Sequence, residues 1–181
     1  MGRKKNIIEL THCSAEEYRN LKKNPFIIIT DNVRSMHNVG SVFRTADAFK
    51  AEEIILGGIS GTPPHPEITK TALGAEKSVK WRHVKNTIEE VERLKRSGWK
   101  ICVLEQAHES IPLNEFKVNK EDKIVLVIGN EISGVDQQIV DKGDYILEIP
   151  QYGTKHSLNV SVSAGIAIYS ISSQFSLLKK N

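Results

Sequence analysis

Three clusters of glycine and small polar residues in this chain have the make-up of a binding or catalytic site. Each follows a run of β-forming residues, where α/β proteins gather their binding loops. The first spans residues 31–45 and carries Asn38, Gly40 and Arg44. An arginine can grip a phosphate or stabilise a developing oxyanion. Counting about 100° per residue, Arg44 projects opposite the Val42/Ala46 stripe, so it is not a core residue. Taken alone, Arg44 reads as part of a solvated helix face and Asn38 as a plain N-cap. The second cluster is Gly129-Asn-Glu131-Ile-Ser-Gly134, a carboxylate framed by two glycines. Gly129 would let the backbone approach a ligand and Gly134 would permit a tight turn, although an ordinary loop before a helix has the same composition. The third begins at Ile149-Pro150 and sets Ser157 and Asn159 inside an apolar run, where they serve either as site groups or as local caps.

The familiar alternatives are missing from the sequence. Neither GxGxxG after the first strand nor GxxxxGK[ST] occurs, and Gly57-Gly-Ile-Ser-Gly61 has the wrong spacing for either. The six histidines include no HxxxH pair, so no metal-ligand set is expected. GxSxG, the elbow of many hydrolases, is absent as well.

The elements that must position the clusters are legible in the apolar pattern. Residues 26–30, 53–56, 100–104, 123–128 and 145–149 read as strands, continuous in hydrophobicity as strands buried on both faces require. Thr87-Ile-Glu-Glu90 opens a helix with Ile88, Val91 and Leu94 on one stripe, Glu89/Arg93 and Glu92/Arg96 as supporting pairs, and Gly98 at its end. Val39, Val42, Phe43, Ala46 and Phe49 recur at three and four, which predicts a helix after Asn38. Alternating strands and helices give an α/β fold with a mostly parallel sheet flanked by helices. The Thr62-Pro-Pro-His-Pro66 stretch reads as a surface loop before a short helix. The segment after residue 158 stays open: Leu158, Val160 and Val162 alternate like a strand, whereas Ala164 to Ile171 is apolar around nearly a full helical circumference. If helical, it needs burial on two sides, such as its own sheet and a partner subunit.

At 181 residues the chain has the length of one domain, and a formal charge of +3 permits an anionic partner without demanding one. Cys13 and Cys102 form no CxxC pair, so neither disulfides nor zinc are expected and a reducing cytoplasm fits best. No window reaches the roughly 18 apolar residues of a membrane span, and the N-terminus lacks a secretory apolar core. Residues 1–25 are set apart as a short basic extension, in which Ser14-Ala-Glu-Glu17 has capping-box spacing and predicts a helix to about Lys23. It could pack on the domain or touch an anionic partner.

Together the three clusters resemble one family, the SPOUT-class, TrmH-like (SpoU) RNA 2′-O-ribose methyltransferases. The matching motifs are Asn38-x-Gly40 with Arg44, Gly129-Asn-Glu131-x-x-Gly134, and Ile149-Pro150 with Ser157-Leu-Asn-Val-Ser161, in that order, over residues 26–171. The resemblance implies a methyltransferase domain at 26–181 whose C-terminal stretch threads a deep trefoil knot, an exception to the usual avoidance of knots. It implies S-adenosylmethionine as methyl donor, held largely by backbone groups at Leu104, Gly129, Ile149, Ser157 and Leu158. It also implies a homodimer through the C-terminal helix and an RNA substrate, tRNA or rRNA, with no metal and no membrane. Arg44 becomes the key catalytic residue, either as general base, which sits awkwardly with a side chain that stays protonated, or as an electrostatic stabiliser. Asn38, Ser157 and Asn159 would orient Arg44 and the ribose, and Glu131 would accept hydrogen bonds from an arginine or from the surrounding loop. Two competing readings are a non-enzymatic RNA-binding module on the same fold and a SPOUT-class base methyltransferase.

Overall fold

The computed structural model describes residues 2–5 and 13–178, apart from the Leu177 side chain. Positions 6–12 of the charged segment 3–23 therefore lie outside the described residues, as do 179–181. Seven parallel strands form one sheet: β1 (Phe26–Asp31), β2 (Glu53–Gly57), β3 (Trp81–Val84), β4 (Lys100–Leu104), β5 (Ile111–Pro112), β6 (Ile124–Ile128) and β7 (Tyr145–Glu148). Their order across the sheet is β3-β2-β1-β6-β4-β7-β5. The fold class read from the sequence is thus observed, and every pairing is parallel.

The three central strands β1, β2 and β6 are buried at every position, which explains their unbroken hydrophobicity. Each fully buried Ile, Leu or Val contributes about 1.5–3 kcal/mol of apolar transfer. One face packs α2 (Met36–Ala48), α3 (Pro66–Ala72), α4 (Ala75–Ser78) and α7 (Val160–Leu178). The opposite face carries α5 (Thr87–Arg96) and α6 (Gln137–Val140) through Val91, Leu94 and Ile139. The edge strands β3 and β5 were not expected: β3 is at best half-buried and β5 is two residues long, so neither presents an apolar run.

Several local expectations change. Helix α1 (Ala15–Asn20) has the Ser14/Glu17 capping box, but Leu21 is already extended and the helix stops three residues short of Lys23. Lys23 instead turns back to the Tyr18 carbonyl and sits over the Tyr18 ring. Tyr18 is buried against α2, its hydroxyl donating to the Asp47 carbonyl at 3.0 Å, so α1 packs on the helical layer. Helix α5 begins at Thr87 as expected, with Asn86 as its N-cap. Its side chain both accepts from Glu89 N and donates to Glu89 Oε1. Glu89 is therefore not free for Arg93, which pairs with buried Glu90, while the Glu92/Arg96 pair forms at 3.8 Å.

The open segment resolves as the 19-residue helix α7. Ala164, Ala167, Ile168, Ile171 and Phe175 face the core, and Val162, Ile166 and Tyr169, 41–60% exposed, form a second apolar stripe at helical spacing. Two apolar faces are why periodicity could not identify it. Helices α2 and α7 lie side by side: Asn38 meets Asn159 near their N-terminal ends and Phe49 meets Tyr169 edge-on at 5.6 Å further along.

Candidate active site

Strands β1, β4, β6 and β7 end at the same edge of the sheet because their registers run in parallel, so the segments after them converge. The loops after β4, β6 and β7 line a pocket of about 750 Å³, within the roughly 300–1,000 Å³ typical of small-molecule sites. All five residues expected at a cofactor line it: Leu104, Gly129, Ile149, Ser157 and Leu158.

The glycines of the second cluster are fixed by close approach. A Cβ on Gly129 would fall 2.2 Å from the backbone of Gly134 and Val135, which no relaxation of a flexible side chain could relieve. Gly134 has φ +69° and lies under the Glu105 carboxylate. The loop is closed by paired bonds between Asn130 and Gly134, and Asn130 Oδ1 accepts from the Ile132 and Ser133 amides. Gly40 matters for helix packing instead. A Cβ there would meet Thr71 and the Ile68 carbonyl, so its absence lets α3 pack close on α2.

Glu131 joins the first two clusters. Its carboxylate accepts from Arg34 N at 3.1 Å, from Ser35 N at 3.0 Å and from Asn38 Nδ2 at 3.0 Å, all at the N-terminus of α2, where the helix dipole favours an anion. Burial opposes its ionisation, but these three donors outweigh that cost and hold the carboxyl below its ordinary range. Among the described residues Glu131 accepts from the backbone amides of Arg34 and Ser35 and from the Asn38 side chain, and from no arginine side chain. Asn38 lies within the first turn of α2, whose N-cap is Ser35, and its side chain is buried. Its Oδ1 accepts from Asn159 Nδ2 at 3.2 Å, which brings in the third cluster. Asn159 Oδ1 meanwhile accepts from Ser161 N at 2.9 Å at the start of α7, so one side chain both caps that helix and reaches Asn38.

The expected residues are thus divided. Glu131, Ser157 and Asn159 line the pocket and Asn38 stands immediately behind it. Arg44 does not line the pocket; it is exposed on α2 and its side chain makes no ion pair or hydrogen bond among the described residues. Sequence reasoning missed Glu105 and Gln106, which directly follow β4. Glu105 accepts from Val135 N at 3.0 Å, and Gln106 Nε2 donates to the His156 carbonyl at 2.9 Å, tying the β4 loop to the other two. Two polar residues at the carboxyl end of a parallel strand were the available signal. Below the pocket, Asp31 accepts from Asp136 N and Asn130 Nδ2 donates to the Asn32 carbonyl at 2.7 Å, binding the β1 and β6 loops.

A parallel α/β sheet with a pocket built from loops at its strand ends defines a small-ligand-binding α/β protein. Residues 25–169 match the SpoU rRNA Methylase family, and the chain belongs to that family. It is 34% identical over 157 residues, 87% of this chain and 68% of the other, to an uncharacterized tRNA/rRNA methyltransferase of Borreliella burgdorferi. It is 32% identical over 154 residues, 82% of this chain and 69% of the other, to the tRNA (guanosine(18)-2′-O)-methyltransferase of Aquifex aeolicus. The AdoMet-bound rRNA methyltransferase of Sinorhizobium meliloti superposes with a TM-score of 0.75 at 25% identity, covering 84% of this chain and 58% of that one. The chain therefore spans only part of the length of these relatives.

Proposed function

We propose that this chain is an S-adenosylmethionine-dependent RNA 2′-O-ribose methyltransferase acting on tRNA or rRNA. The observation that carries the reading is the hydrogen-bonded series Asn159–Asn38–Glu131, which draws three clusters far apart in sequence to the wall of one pocket. Leu104, Leu147, Ile149 and Leu158 offer an apolar wall for an adenine, and the polar groups of Glu105, Gln106 and Asn130 face the same space, so the residues fit the nucleoside part of the donor. Leu104, Gly129, Ile149, Ser157 and Leu158 would hold it. When bound, S-adenosylmethionine supplies an electrophilic methyl group on a sulfonium.

The chain's own contribution is to hold a ribose 2′-hydroxyl in line with that methyl and to stabilise the charge that develops on O2′ as the O–C bond forms and its proton leaves. Arg44, permanently cationic, suits the electrostatic role better than that of a base, gripping the adjacent phosphate while the proton passes to another group or water. Asn38, Ser157 and Asn159 orient the ribose, and Glu131 fixes the α2 loop against the pocket. The exposed stripe Val162, Ile166 and Tyr169 is the seam of a homodimer. Helix α2, which carries Arg44, lies beside that stripe, so pairing would place Arg44 near a subunit boundary. The chain from β7 into α7, tied to the β4 loop at Gln106 and His156, is where the trefoil knot is threaded. Residues 1–25 form a basic extension to a 26–181 methyltransferase domain, which works in the cytoplasm without a metal. Among the described residues no helix is long and apolar enough to cross a membrane, and no cluster of metal-ligating groups occurs.

Incubation with total cellular RNA and S-adenosylmethionine, followed by mapping of 2′-O-methyl positions, tests the reading. New sites in tRNA or rRNA are expected; an unchanged map would overturn it.

A further inference from the structure

Ile132 and Tyr152, 89% and 96% exposed, are the two most exposed large apolar side chains among the described residues. Both lie on loops that line the pocket. Ile132 lines it, and Tyr152 sits between Gln151 and His156, which line it too. Scattered exposed apolar residues are ordinary, but these two occur on the loops that form one rim. Tyr152 makes no hydrogen bond or ring contact among the described residues, so neither its ring nor its hydroxyl serves the fold.

The charges point the same way. Every Lys or Arg ion pair among the described residues involves Lys80, Arg82, Arg93, Lys95, Arg96, Lys100 or Lys142, none of which lines the pocket. Lys155, three residues beyond Tyr152, and Arg34, whose backbone is held by Glu131, are exposed and have no acidic partner there. An exposed aromatic face with an unpaired lysine three residues along the same loop matches the platform on which single-stranded nucleic acids stack a base while their phosphates are neutralised alongside.

We propose that Tyr152 is a stacking platform for the base of an unpaired nucleotide at the pocket rim, with Ile132 as an apolar contact and Lys155 on the neighbouring phosphate. This rests on the RNA reading above and makes it more specific: the substrate offers a splayed, single-stranded nucleotide there, because a base stacked in a duplex has no free face for the ring.

Fluorescence anisotropy of a labelled single-stranded oligo(U) of about 12 nucleotides, titrated with the full chain in saturating S-adenosylhomocysteine, tests this. Tyr152→Ala is expected to weaken binding about tenfold and Tyr152→Phe to bind within about twofold of the native chain. Calorimetric uptake of S-adenosylhomocysteine should be unchanged in both. Equal affinity of Tyr152→Ala and the native chain, or no oligonucleotide binding by the native chain, would overturn the proposal. Binding that depends on Tyr152 in a chain that takes up no S-adenosylhomocysteine would support the platform and contradict the methyl-transfer reading instead.

Discussion

Asn38 Nδ2 donates to Glu131 Oε1 at 3.0 Å, linking two residues 93 positions apart and clamping the loop after β6 to the first turn of α2. The same carboxylate takes two backbone amides at the start of α2, so its removal undoes three contacts at once. Glu131→Ala is expected to cost about 1–2 kcal/mol, modest for charge-assisted bonds because the site is partly open to water. Chemical denaturation would measure it, and an unchanged midpoint would show that the clamp carries no stability.

The same contact has a pH signature. The folded state holds the Glu131 carboxyl below its ordinary value of 4.5. Its stabilisation is therefore complete above the unfolded value and is lost as pH falls through the lower folded value. The stability gap between the native chain and Glu131→Ala should be constant near neutrality and close only in acid. A gap that narrowed towards alkaline pH would contradict the assignment.

Gly129→Ala should be far more damaging than its size suggests, because the added Cβ meets backbone at 2.2 Å. A loss of more than about 4 kcal/mol is expected, or a loop displaced enough to abolish cofactor uptake. Gly153, on the neighbouring loop with open space around it, is the control: Gly153→Ala should change stability by less than about 0.5 kcal/mol. Thermal unfolding of the two variants reads the contrast directly.

What the sequence displayed of this fold follows from where free energy is local. The runs at β1, β2 and β6 were legible because both faces are buried, and β3 was not because it stands at an edge, half in water. Helix α7 hid behind two apolar faces that only a tertiary arrangement could separate. At the site, the motif residues could be singled out, but their partners could not. That Gly40 serves the approach of α3, or that Asn159 reaches Asn38, depends on how distant segments meet. Glu105 and Gln106 escaped because they carry no motif, only a position at a strand end.

The exposed stripe of α7 gives a test of assembly. Ile166→Asp should convert a dimer to a monomer, since a charge in an apolar seam is left without compensation. It should leave the fold intact, because Ile166 is 41% exposed in the single chain. Sedimentation over a range of concentrations would decide it; a native chain that is monomeric throughout would remove the stripe from the account.

Arg44 is exposed and unpaired among the described residues, so Arg44→Ala should alter stability by less than about 0.5 kcal/mol. The same change should abolish methyl transfer while leaving S-adenosylmethionine affinity nearly intact, because the proposed cofactor contacts lie elsewhere. Near-normal turnover by this variant would remove Arg44 from the chemistry.

The most direct test of ribose methylation is the chemical position of the transferred group. RNA treated with the native chain and methyl-labelled S-adenosylmethionine is hydrolysed in alkali, which requires a free 2′-hydroxyl at each cleaved linkage. Label recovered in alkali-resistant dinucleotides is the predicted result. Label confined to mononucleotides would mean a base methyltransferase, and no label at all a binding module; either would contradict the account.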